Sequence, residues 1–138
     1  MNVDLGEGLS AWVRTVTPLT DLIGEGQDCG FYPEALTRQK TPSFIIYAEQ
    51  NDPEAAMHDA PATAATTTVT FTCVGKTRPE AVLLSRTLYD ALMVPRFRGA
   101  MGTVQVQAVI CQRSSPSYQW DEYQFAVEAE YVFCYNLQ

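Results

Sequence analysis

The residues best equipped for chemistry in this chain are few and scattered. His58 is the only histidine and lies in Met57-His58-Asp59, and an imidazole beside a carboxylate is a pairing used in general-base catalysis. Neighbours on one loop do not converge on a substrate, so a solvated histidine is the simpler reading. Glu128 and Glu130 are two apart in a strand-like segment. That spacing sets their side-chain origins roughly 6–7 Å apart on one face, compatible with two-carboxylate chemistry. The polar face of a half-exposed strand explains them as well. Arg96-Phe97-Arg98 follows a helical segment, and arginine with aromatic residues is enriched at the energetic centres of interfaces. The same triplet could hold a phosphate or be plain surface. Tyr118 and Trp120 sit in a turn-like stretch, where an uncovered indole is a costly apolar surface.

The four cysteines, Cys29, Cys73, Cys111 and Cys134, contain no CxxC pair. Finger and ribbon metal sites need such pairs, so these read as free thiols acting as small hydrophobes. There is no G-x-S-x-G elbow, P-loop, H-E-x-x-H or dinucleotide-binding glycine motif. The expectation is a chain with no catalytic residues, no metal and no cofactor.

Those candidates must be carried by a body of 138 residues, 46% hydrophobic and 18% charged, a size and balance that suit one globular domain spanning 1–138. The formal charge of −7 repels nucleic-acid phosphates, which argues against a DNA-gripping module but not against a protein that surrounds DNA. No apolar run reaches the roughly 18–20 residues needed to cross a bilayer. Acids near the N-terminus are unlike a signal peptide, so an intracellular protein without a membrane partner is expected.

Apolar residues at Leu5, Leu9, Trp12, Val13 and Val16 step by three and four, predicting a helix that ends at about Val16 because Pro18 breaks it. Residues 24–42 read as an irregular connection. Ser43–Glu49 and Thr66–Cys73 read as strands, the second alternating Val69, Phe71 and Cys73 against threonines. Between them lies a polar, Ala/Pro-rich loop. A helix is predicted over Arg78–Met93, opened by the T-x-x-E box of Thr77 and Glu80. Its apolar stripe is Ala81, Leu84, Leu88, Ala91 and Leu92, widened by Val82 and Leu83. Val104–Gln112 and Tyr123–Tyr135 complete the strands, the first with Val104, Val106, Ala108 and Ile110 on one face, and the linker between them is a hairpin turn. The expected fold is α+β, a mainly antiparallel four-stranded sheet packed by two helices in the order α-β-β-α-β-β.

In that order the chain resembles the tail-terminator, or tail-completion, proteins of long-tailed bacteriophages. The resemblance rests on Phe31-Tyr32-Pro33 after an N-terminal helix and on Thr41-Pro42 leading into Ser43–Tyr47. It continues with Val69–Thr77 running into the Ala-Leu helix that contains Glu80-Ala81 and Leu88–Leu92. It implies a virion subunit, assembled in the host cytoplasm, that forms a hexameric ring at the head-proximal end of the tail. Such a ring ends tail-tube polymerisation and joins the tail to the head connector. Its implied partners are further copies of itself, the tail-tube protein and a connector or neck protein, with DNA passing through unbound. Arg96, Phe97, Arg98, Tyr118, Trp120, Met57 and His58 are then interface candidates, and Glu128 and Glu130 candidates for an acidic channel face. Two other readings stand beside it. Another neck component would fail to cap tube growth, and a small ligand-binding or enzymatic domain would lose activity when His58, Glu128 or Glu130 is replaced.

Overall fold

The computed structural model describes residues 5–24, 29–33, 43–51, 64–120, 122 and 124–136. Helix α1 (Leu5–Val13) buries Leu5, Leu9, Trp12 and Val13 on one stripe. Pro18 does not break a longer helix. It sits in the first turn of a second helix, α2 (Thr17–Ile23), where a missing N–H costs nothing because that group has no intrahelical partner. The connection after α2 is not wholly irregular either, since it holds strand β1 (Phe31–Pro33). Strands β2 (Phe44–Asn51) and β3 (Ala64–Gly75) follow.

Helix α3 (Arg78–Met93) begins at the predicted box. The Glu80 N–H donates to Thr77 Oγ1 at 3.3 Å, and the Lys76 N–H donates to Glu80 Oε2 at 3.0 Å. A Cβ on Gly75 would lie 2.8 Å from the Ala81 nitrogen, so only glycine lets the strand end this close to the helix start. Ala81, Leu84, Leu88 and Leu92 are buried, but Val82 and Leu83 do not widen that stripe and are 46% and 50% exposed. Four strands close the chain: β4 (Gly99–Met101), β5 (Val104–Ser114), β6 (Tyr118–Gln119) and β7 (Phe125–Asn136).

The expected four-stranded sheet with two helices is therefore wrong. Among the described residues the sheet has seven strands, ordered β1-β2-β3-β7-β5-β4 with β6 also on β7. It is mixed, because β1 pairs parallel to β2 while the other pairs are antiparallel. It curls into a half-barrel accompanied by three helices. The added strands are two or three residues long, too short to show a period in sequence.

The alternation expected for β5 also fails. Val106 pairs Tyr135 but Ala108 pairs Cys134, and Cys111 pairs Tyr131 but Arg113 pairs Glu130. One extra residue at each step, Gln107 and Gln112, makes a bulge, and each bulge shifts the side-chain phase. Val109 is thus buried completely while Ile110 is 52% exposed.

The inner face gathers Val69, Phe71 and Cys73 of β3, Val109 of β5, and Tyr131 and Phe133 of β7 against Leu9, Leu19, Leu84, Leu88 and Leu92 of the helices. Phe71 meets Tyr131 edge-on, with centroids 5.6 Å apart. One polar pair crosses this core: Thr67 Oγ1 and the Tyr135 hydroxyl share a hydrogen bond of 2.9 Å. The outer face carries Thr68, Thr70 and Thr72 of β3, the glutamates of β7 and a small second cluster of Phe44, Val74 and Ala126.

Candidate functional site

A cleft of about 430 Å³ opens between α3 and the end of β5. Val82, Ser85, Arg86 and Tyr89 form its helical wall, at the i, i+3, i+4, i+7 spacing of one helix face. This is a second face of α3, next to the buried stripe, and it explains why Val82 is not in the core. Ser114, Ser115, Pro116 and Ser117 form the opposite wall, and Cys111, Val127 and Tyr131 the floor. Burial pushes the Tyr131 phenol well above its usual range, and Cys111, which also hydrogen-bonds it, adds to the rise. Among the described residues the lining holds one arginine and no carboxylate, in a chain with sixteen acidic residues and nine basic ones. Among the described residues no histidine lines the cleft, and its serines offer hydroxyls that can donate or accept hydrogen bonds. Sequence reasoning missed it because the shifted register of β5 decides that Cys111 and the segment after it face α3.

Glu128 and Glu130 lie together on the outer face, paired with Thr72 and Thr70. The bulge at Gln112 brings Arg113 to them. Its Nη2 donates to Glu130 Oε1 at 3.0 Å and lies 3.8 Å from Glu128 Oε1. The chain is pinned beside them, since the Ser115 N–H donates to the Glu128 carbonyl at 2.7 Å and the Glu128 N–H donates to Ser115 Oγ at 3.0 Å. The Tyr118 phenol is raised by partial burial first, then by the charge of Glu128 and the hydrogen bond to it. The two carboxylates are therefore parts of a charge-paired cluster with Arg113, a residue that the sequence pattern did not single out.

The Arg96-Phe97-Arg98 triplet splits by environment. Phe97 packs edge-on to Trp12 at 5.4 Å and its N–H donates to the Leu92 carbonyl, while Arg96 and Arg98 are exposed. Tyr118 and Trp120 are 36% and 38% exposed at the β6–β7 turn, where the Trp120 N–H donates to the Gln124 carbonyl at 2.8 Å. Glu122 is exposed in that turn. Met57 and His58 lie outside the described residues.

Charge is unevenly distributed along the fold. Residues 76–113, which make α3, β4 and β5, hold six of the nine basic residues and only two of the sixteen acidic ones. A net-negative chain thus has a locally positive flank beside β7. The four cysteines are free, and among the described residues no group of three His, Cys, Asp or Glu could hold a metal ion. No described helix is long and apolar enough to cross a membrane.

No protein-family model matches the chain, and no curated protein matches it in sequence. Its fold does have a solved counterpart. A chain from the virion of a native gene transfer agent (GTA) particle superposes with a TM-score of 0.71 at 11% identity, covering 96% of this chain and 94% of that one. At that identity the likeness is one of fold, and it runs nearly end to end.

Proposed function

We propose that this chain is a structural subunit of a phage-like virion, and that it acts as the tail terminator: a ring at the head-proximal end of the tail that stops tube growth and meets the head connector. The observation that carries the reading is the end-to-end fold likeness to a chain of the gene transfer agent virion. The arrangement of side chains agrees with a role in assembly. The cleft offers an apolar floor with an arginine at its wall, and the glutamates of the outer face are engaged by Arg113. Closed rings need two different, complementary patches on each subunit, and the chain has a basic flank and acidic stretches on either side of it in sequence. In the ring the acidic excess serves to keep passing DNA from adhering to the wall.

The test is a tube-polymerisation assay. The purified chain, mixed with the tube protein of the same particle, is expected to bind tube ends and arrest elongation at substoichiometric amounts. Tubes that grow unaltered, while the chain binds only the connector, would reassign it to the connector side of the neck. Binding to neither would remove the virion reading.

A further inference from the structure

We propose that the cleft between α3 and β5 is a socket for the β6–β7 turn of a second copy of this chain, with the Trp120 indole entering over Val127 and Glu122 pairing with Arg86. The proposal rests on the ring reading above and names the contact that would close the ring. Its first support is the chemistry of the cleft, which among the described residues offers an apolar floor, a single cation and no carboxylate. Among the described residues Arg86 has no ion pair. A site of this kind selects an apolar group followed closely by a negative charge. The second support is that the chain presents such a group. Trp120 is 38% exposed and Glu122, two residues on, is exposed as well. The cleft, at about 430 Å³, has room for an indole together with the turn residues beside it, and tryptophan and arginine are among the residue types most enriched at energetic centres of interfaces.

The third support is electrostatic. Copies that each carry −7 repel, so association needs a place where opposite charges meet, and Arg86 in the basic 76–113 stretch facing Glu122 in the acidic chain end supplies one. Turn and socket are different patches of the subunit, so their contact is head-to-tail, the type that closes into rings.

Charge reversal tests this on the full chain. Arg86→Glu and Glu122→Lys are exposed substitutions, and each is expected to weaken self-association, measured by sedimentation at near-physiological salt, by about tenfold or more. The double variant Arg86→Glu/Glu122→Lys restores the pair with its sense reversed and is expected to regain most of the lost affinity, which also shows that the single variants failed at the contact and not in folding. Fluorescence gives a second readout. Trp12 is buried at 8% exposure in the subunit, so a blue shift on assembly reports Trp120 leaving water. Single variants that assemble like the parent, or a double variant no better than the singles, overturn the socket and leave the ring reading standing. A parent chain that stays monomeric at every concentration overturns both.

Discussion

Gly8 is in the middle of α1, where replacing glycine by alanine ordinarily stabilises a helix by about 1 kcal/mol. The structure reverses that expectation. A Cβ at Gly8 would stand 2.5 Å from the Met101 carbonyl oxygen and 3.1 Å from Val104 Cγ2. Both belong to the β4–β5 hairpin, whose two-residue loop has Gly102 at φ 60°, as a primed turn with glycine first requires. The nearest atom is backbone, so no rotamer change relieves the contact, and α1 or the hairpin must move by several tenths of an ångström. Moving either disturbs the packing of Leu5, Leu9, Met101 and Val104, each 3% exposed or less. Overpacking of this kind costs about 1–3 kcal/mol, and a rigid neighbour puts Gly8→Ala at the upper end. Set against the helix gain, the net loss is about 2 kcal/mol, which for a chain of this length lowers Tm by roughly 6–10 °C. Thermal unfolding followed by circular dichroism measures it. A Gly8→Ala variant with unchanged or raised Tm would mean that α1 does not cross the hairpin at this distance.

Three further outcomes follow from the interior and the outer face. Thr67→Val strands the Tyr135 hydroxyl, which is buried with it, and is expected to cost about 1–3 kcal/mol in denaturant unfolding, most of it regained when Tyr135→Phe is added. The Cys73 thiol is pushed up to about 12 by full burial, from an ordinary value of 9.0. Between those values the folded chain keeps a proton that the unfolded chain releases, so this contribution is intact below pH 9 and is lost as pH rises towards 12. The Tyr131 phenol is shifted in the same direction. Unfolding free energy should therefore fall with pH above about 9, with a shallower slope in Cys73→Ala, and a pH-independent stability there would contradict the burial. Arg113→Ala removes an ion pair whose arginine is 64% exposed, so solvent screening limits its expected cost to under about 1 kcal/mol. A larger loss would show that Arg113 braces the β5–β7 pairing.

What could be read from sequence depended on how locally each element is specified. Helix α3 carries its own start signal at Thr77 and Glu80 and its own stripe through Leu84, Leu88 and Leu92, so both its bounds were legible. Pro18 was ambiguous because the same ring ends one helix and begins another, and only the packing of Leu19 and Ile23 decides for the second. The bulges at Gln107 and Gln112 leave no mark in composition, yet they decide that Val109 faces the core, that Ile110 faces out and that Arg113 meets Glu130. The cleft was invisible for the same reason, being a product of the register of β5 against β7. Val82 and Leu83 looked like core because hydropathy does not tell a buried face of α3 from one lining a cleft, as at Val82, or facing solvent, as at Leu83.

Assembly with copies of itself is the proposed mode of action of this subunit. Native mass measurement of the purified chain, with electron micrographs of the same sample, tests it most directly. The expected result is a closed ring of one discrete copy number, six by the tail-terminator resemblance. A monomer across the accessible concentration range, unchanged by addition of tube and connector proteins, would contradict it.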